Sequence, residues 1–187
     1  ARIRHDSPEA VIIYAAGPRI ASVSDDKLQK ILELRAVWHI NDQEALEFTG
    51  EETLETAGQQ IAQLTGSTVI VTAGAAGAYV FEPRADEEGA PDGADAFGAP
   101  NGAATSGAPA GAPSTHVPTT PVEVVDTVGA GDAHLGATIA AYMQGMNWVD
   151  ATAFANKISA VICQNVGATV DEAQLAIFRQ MLYANQQ

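Results

Sequence analysis

Residues 124–133 read Val-Val-Asp-Thr-Val-Gly-Ala-Gly-Asp-Ala, and they carry the densest chemistry in the chain. The spacing predicts a strand, a glycine-bearing turn from Asp126 to Gly131, and a helix opening directly at Asp132. Unpaired N–H groups at a helix start, with the macrodipole behind them, make a site for an anion. Gly129 and Gly131 let that backbone approach a phosphate with no Cβ in the way. An aspartate at the same place repels phosphate, so simple anion binding does not account for it. It makes sense as a base. The carboxylate would take a proton from an attacking hydroxyl while the amides hold charge developing on a phosphoryl group in transfer.

Two plainer readings stand beside this one. An Asp at a helix N-terminus is an ordinary cap. Strand–Gly-x-Gly–helix is also the opening of a dinucleotide-binding fingerprint, which would make the chain an oxidoreductase. That fingerprint is incomplete here: His134 takes the third glycine position, Gly136 comes two residues late, and Asp150 opens a helix instead of closing a second strand.

The elements that must position this segment alternate along the chain. An apolar run at 10–16, closed by Gly17-Pro18, reads as a buried strand and its turn. A helix fits 25–35, with Ser24 as N-cap and Arg35 at its negative end. Val37–Ile40 reads as a strand, and a brief helix runs from Asn41 to Phe48 before the break at Thr49-Gly50. A further helix is expected over 51–64, then strands at Thr68–Ala73 and Ala78–Glu82 around the Gly74–Gly77 turn. Residues 116–125 end in an alternating strand. A small-residue helix follows from Asp132 to Gln144, stopped by Gly145. Asn147 caps a long helix to Asn165, and Thr169–Glu172 is a capping box for the last one. Strands alternating with helices imply a layered α/β fold with a largely parallel sheet.

Residues 85–115 differ in kind: twenty of the 31 positions are Ala, Gly or Pro, with no Lys or Arg. Such a stretch cannot bury enough apolar surface to offset its ordering entropy, so it is expected to be a flexible loop insertion.

Composition bounds the function. With 187 residues the chain is long enough for a real core, and 47% hydrophobic content excludes a wholly disordered polymer. A formal net charge of −14 argues against nucleic-acid binding, which rests on Lys and Arg displacing counterions, and against a polybasic membrane surface. No apolar run approaches the ~20 residues of a membrane span. Cys163 is the one cysteine, expected to be packed and inert, so no intrachain disulfide forms and the cytoplasm is the expected compartment. The chain begins at Ala1 without Met, which points to part of something longer.

Asp126-Thr127-Val128-Gly129-Ala130-Gly131-Asp132 resembles the C-terminal signature of the ribokinase (PfkB) family of carbohydrate and nucleoside kinases. Two further blocks agree in order. Asn41-Asp42-Gln43-Glu44 followed by Phe48-Thr49-Gly50 resembles the family's Asn-x-x-Glu stretch, and Val71–Ala78 resembles its strand–turn beneath ATP. Ala155-Asn156 and Val166-Gly167-Ala168 match the region near the adenine and the monovalent-cation loop.

The resemblance implies a three-layer α/β/α sandwich. It implies Asp132 as catalytic base, and Gly129, Ala130 and Gly131 as the anion hole. Asn41 and Glu44 would act on Mg2+ and ATP through water, while Thr72, Gly74, Gly77 and Asn156 would line the nucleotide cleft. Asp126 with the Val128 carbonyl would hold K+. Plainer roles remain for several of these: Asn41 and Glu44 are also an adequate capping pair, Gly74 and Gly77 can merely close a hairpin, and Asn156 can face solvent. His134 is expected in the core or behind the site and not as a catalyst.

A family member normally carries about a hundred more residues ahead of the point matching Ala1, including a small β-sheet lid and most sugar contacts. The chain is therefore expected to be the C-terminal, nucleotide-binding portion of an ATP-dependent sugar kinase, inactive by itself. A small-molecule sugar is the expected partner, with a homodimer left open. A non-catalytic nucleotide-binding remnant of the family is the alternative.

Overall fold

The computed structural model describes residues 6, 7, 10–83 and 114–184. Its elements are β1 (Ile13–Ala15), α1 (Asp25–Leu32), β2 (Val37–Asn41), α2 (Asp42–Thr49), α3 (Leu54–Thr65), β3 (Val69–Thr72), β4 (Ala78–Phe81), β5 (Ser114–Val117), α4 (Ala130–Met143), α5 (Trp148–Ile162) and α6 (Glu172–Ala184). The strand order is β1-β2-β3-β4-β5, in a mixed and mostly parallel sheet, so the fold is α/β as the alternation implies. Among the described residues no helix is long and apolar enough to cross a membrane.

The chain divides into two compact units. The first is Ala1–Val71 with Phe81–Ser114. In it β1 runs parallel to β2, with Ile13 opposite Val37 and Ala15 opposite His39. Val37, Trp38 and Ile40 of β2 and Val69, Ile70 and Val71 of β3 are all buried, the continuous apolar pattern of strands covered on both faces. Helix α3 buries Ala57, Gly58, Ile61 and Ala62, and an added Cβ at Gly58 would overlap the Phe81 ring. The second unit is Thr72–Val80 with Thr115–Gln187. Here α4 sets Ala137 and Ala141 against Ala151, Phe154, Ala155 and Ile158 of α5, and Phe178, Met181 and Leu182 of α6 pack onto that cluster. Small residues on the facing helices permit a close approach, since interaxial distance follows side-chain size.

Several boundaries differ from the sequence expectation, each for a local reason. Helix α1 ends at Leu32 and not at 35, because Arg35 takes a left-handed φ of 45°; Ser24 holds the N-cap position without a side-chain hydrogen bond. Helix α3 starts at Leu54, where Thr53 accepts the Thr56 N–H, and not at 51. The expected strand within 116–125 lies earlier, as β5. Pro118 and Pro121 cannot donate to a ladder, and Val124 and Val125 are 58% and 57% exposed. Ser114 and Thr115, expected to end the insertion, open β5; residues 85–113 lie outside the described residues. Helix α5 ends at Ile162, three residues short of Asn165. The cap of α6 is Asp171 with Gln174, two residues past the expected Thr169, through reciprocal bonds of 2.7 and 3.1 Å.

Gly58→Ala is expected to destabilise the protein by about 1–3 kcal/mol, because the fully buried Phe81 ring has nowhere to move. Thermal unfolding of the variant beside the wild type checks this; an unchanged midpoint would place the ring elsewhere.

Candidate active site

Residues 118–129 carry almost no regular structure, so their backbone groups need partners from elsewhere. Helix α5 supplies them at its C-terminus, where carbonyls lack intrahelical partners. The Cys163 carbonyl accepts the N–H groups of Val125 and Asp126 at 2.8 and 3.2 Å. Asp126 then ties the turn itself: one carboxylate oxygen accepts the Val128 N–H at 3.0 Å, the other the Gly167 N–H at 2.8 Å. These backbone donors hold its carboxyl below the usual aspartate range.

Gly129 closes the turn with a φ of 79°, and an added Cβ would overlap Ala168. That left-handed step starts α4 at Ala130, two residues before the expected Asp132. Asp132 is consequently the third helical residue, exposed, with Gly129 at the N-cap and no side-chain cap bond. The plainer reading of Asp132 as a cap does not hold. Ala130 spends its N–H on the Thr127 carbonyl at 3.1 Å, and Ala133 bonds Gly129 at 2.9 Å. The first-turn donors left for an anion are those of Gly131 and Asp132, so Ala130 shapes the turn and does not offer its N–H. No strand precedes this turn, which removes the structural context a dinucleotide fingerprint requires.

The start of α4 borders a cleft of about 440 Å³ lying wholly within the second unit. Thr72, Gly74, Gly77 and Asn156, all expected to line a nucleotide site, line it together with Ala130 and Gly131. Gly77, at a φ of 94°, closes the β3–β4 connection through Ala73 N–H to Gly77 O at 2.8 Å. A Cβ at Gly77 would strike the Val117 carbonyl, so this glycine is required by packing as well as by conformation.

Asn156 does not face solvent. It is 4% exposed, and its amide nitrogen donates to the carbonyls of Val117 and Pro118 at 2.8 and 3.3 Å. Its oxygen meets His134 Nε2 at 3.1 Å. His134, 3% exposed, is buried as expected, and it also lines the cleft. Burial lowers its pKa to about 4, against the Asn156 hydrogen bond, which raises it. Ser159 donates to the Ala130 carbonyl at 3.1 Å. Ser159 and Cys163 line the cleft as well, and sequence reading did not assign either to the site. The i, i+3, i+7 spacing of Asn156, Ser159 and Cys163 was the available signal.

Asn41 and Glu44 belong to the first unit and form the capping box of α2. The Asn41 oxygen accepts the Glu44 N–H at 2.8 Å, and Glu44 Oε2 accepts the Asn41 N–H at 3.2 Å. Glu44 is nonetheless buried, more than capping requires. Among the described residues no group of three or more His, Cys, Asp or Glu side chains could hold a metal ion.

A family model described as pfkB family carbohydrate kinase matches residues 9–174. An uncharacterised Escherichia coli sugar kinase, YegV, is 27% identical over 155 residues, 81% of this chain and 40% of that protein. Among solved structures, ribokinase from Thermotoga maritima aligns with a TM-score of 0.66 at 21% identity, covering 95% of this chain and 51% of the other. Aminoimidazole riboside kinase from Salmonella enterica, solved with aminoimidazole riboside and an ATP analogue, aligns at 0.66 and 20% identity, covering 95% and 54%. These structures establish a ribokinase-like fold. The chain thus spans 40% of the curated relative and about half of the solved ones.

The buried imidazole links stability to pH. An unfolded chain protonates His134 near 6.5, whereas the folded protein refuses the proton until about 4. The unfolded state therefore binds more protons between these values, and His134 costs stability as pH falls through that window, about 3 kcal/mol in all. Urea unfolding of wild type and His134→Gln from pH 7 to 4 checks this. The wild-type midpoint should fall faster, and parallel curves would show that His134 titrates normally.

Proposed function

The chain belongs to the pfkB family of carbohydrate kinases, and on that premise we propose that it forms the nucleotide-binding portion of an ATP-dependent kinase acting on a sugar hydroxyl. The observation that carries this reading is Gly131. It has no positive φ, lines the cleft, and an added Cβ would meet nothing within 4 Å. Neither strain nor packing asks for glycine there; close approach by an anionic ligand does.

ATP, when bound, supplies the γ-phosphoryl group, with Mg2+ to offset its charge. The residues divide the remaining work. Asp132, exposed and free of any capping duty, takes the proton from the acceptor hydroxyl. The N–H groups of Gly131 and Asp132 stabilise charge on the transferred group, and Gly129 and Ala130 set their direction. Thr72, Gly74 and Gly77 line the nucleotide's path, beside Asn156. Glu44 commits Oε2 to its cap and keeps Oε1, which together with Asn41 suits a hydrated magnesium ion. Asp126, held anionic by its backbone donors, and the Val128 carbonyl suit K+.

The 187-residue chain by itself is expected to turn over poorly, because phosphoryl transfer to a sugar needs water excluded and the acceptor held.

ATP titrated with Mg2+ into the 187-residue protein is expected to bind saturably. Transfer to a panel of pentoses, hexoses, sugar phosphates and nucleosides should stay near background, and robust turnover by material of this mass would overturn that. In any form of the protein that does phosphorylate a sugar, Asp132→Asn should lower kcat by about 10²–10⁴-fold with ATP affinity unchanged. A near-normal kcat would remove Asp132 as the base.

A further inference from the structure

The contacts around Asn156 determine the protonation of His134. Val117 and Pro118 present carbonyl oxygens, which only accept hydrogen bonds, so the Asn156 atom lying 2.8 and 3.3 Å from them is the amide nitrogen. The amide oxygen therefore faces the imidazole, 3.1 Å from Nε2. An amide oxygen accepts, so Nε2 carries a proton. Thr138 Oγ1 donates to the His134 carbonyl at 2.9 Å and lies 3.5 Å from Nδ1. Burial disfavours a charged ring, so the one proton of the neutral imidazole sits on Nε2 and not on Nδ1. Two backbone carbonyls thus set the Asn156 amide, and that amide sets the histidine tautomer.

We propose that His134 is a positioning residue: as the neutral Nε2–H tautomer it holds the Asn156 amide in the one orientation that fastens residues 117–119 to α5, and so fixes one wall of the cleft. The part of the proposal that concerns a nucleotide rests on the reading of that cleft given above. The wall needs such a tie because it has no ladder of its own. After β5 the chain runs without regular structure to Thr127, and Thr119, Thr120, Pro121 and Val122 all line the cleft. Besides the two bonds from Asn156, Thr119 Oγ1 donates to the Asn156 carbonyl at 3.4 Å. His134 sits two residues beyond Asp132 on α4, so the same contact joins the helix that carries the proposed base to the wall that would face the nucleotide. The Asn156 amide nitrogen donates to two carbonyls of the wall and its oxygen meets His134, which makes Asn156 a fastening and not a ligand.

Three measurements on the 187-residue protein test this. Nitrogen-15 spectra of labelled histidine, with the His134 signals assigned by their loss in His134→Gln, should show the Nε2–H tautomer at pH 7. An Nδ1–H or doubly protonated ring would overturn the proposal. Nitrogen-15 relaxation at the amides of Thr119, Thr120 and Val122 should show a more mobile backbone in His134→Leu, and binding of ATP with Mg2+ should weaken about tenfold. His134→Gln, whose terminal amide reproduces the Nε2–H donor, should restore both to within about threefold of wild type. A folded leucine variant with wild-type backbone order and affinity, or a glutamine variant no better than leucine, would overturn it. If the leucine variant does not fold, His134→Asn, too short to reach Asn156, takes its place against glutamine. Wild-type protein with the expected tautomer and an ordered backbone at 119–122 but no ATP binding would overturn the nucleotide reading and leave the tie standing.

Discussion

One face of α5 holds the second unit's functional region together. Asn156, Ser159 and Cys163 lie at i, i+3 and i+7, and each bonds a different part of the segment that runs from the end of β5 to the start of α4. Asn156 fastens the end of β5, Ser159 the first turn of α4, and Cys163 the approach to Asp126. The constraint behind this arrangement is that backbone polar groups outside regular structure must still find partners. Residues 118–129 provide few of them for one another, Asp126 to Val128 being one, so the neighbouring helix α5 supplies others. With Asp126 closing the turn onto Val128 and Gly167, the glycine segment is tied on both sides.

That fastening matters for chemistry because electrostatic stabilisation depends on donors already in place when charge develops. The first turn of α4 offers the N–H groups of Gly131 and Asp132, and the turn cannot drift, since Gly129 rests against Ala168 and Ala130 is bonded to Thr127 and Ser159. Asp132 projects from a rigid helix yet carries no structural bond of its own among the described residues. A positioned but unengaged carboxylate beside unpaired amides is what the proposed proton abstraction requires. The buried His134 contributes from behind. Burial disfavours a charge on its ring.

Much of this was legible in the sequence where the signal was local. The Asn41–Glu44 capping box, the left-handed stop at Gly50 and the Asn147 cap of α5 appeared at the predicted residues, because caps are satisfied within four positions. The grouping of Thr72, Gly74, Gly77 and Asn156 at one cleft followed from the motif blocks. What failed was long-range or turned on a single torsion. The alternating residues at 122–125 look like a strand, yet strands need a neighbour and these found the end of α5. Helix α4 began early because Gly129 turned left-handed, which changed Asp132 from the opening residue to the third.

The sequence by itself determined the α/β alternation, the family and the residue types at the glycine turn, since periodicity, capping and motif spacing are written in contiguous residues. Tertiary structure decided what those residues are free to do. It spent the Asn156 amide on two carbonyls, the Asp126 carboxylate on two N–H groups and the Ala130 N–H on Thr127, and it left Asp132 and the amides of Gly131 and Asp132 unspent. Hydrogen-bonding capacity is finite, and which groups use it up depends on partners some forty residues away, as Gly167 is from Asp126.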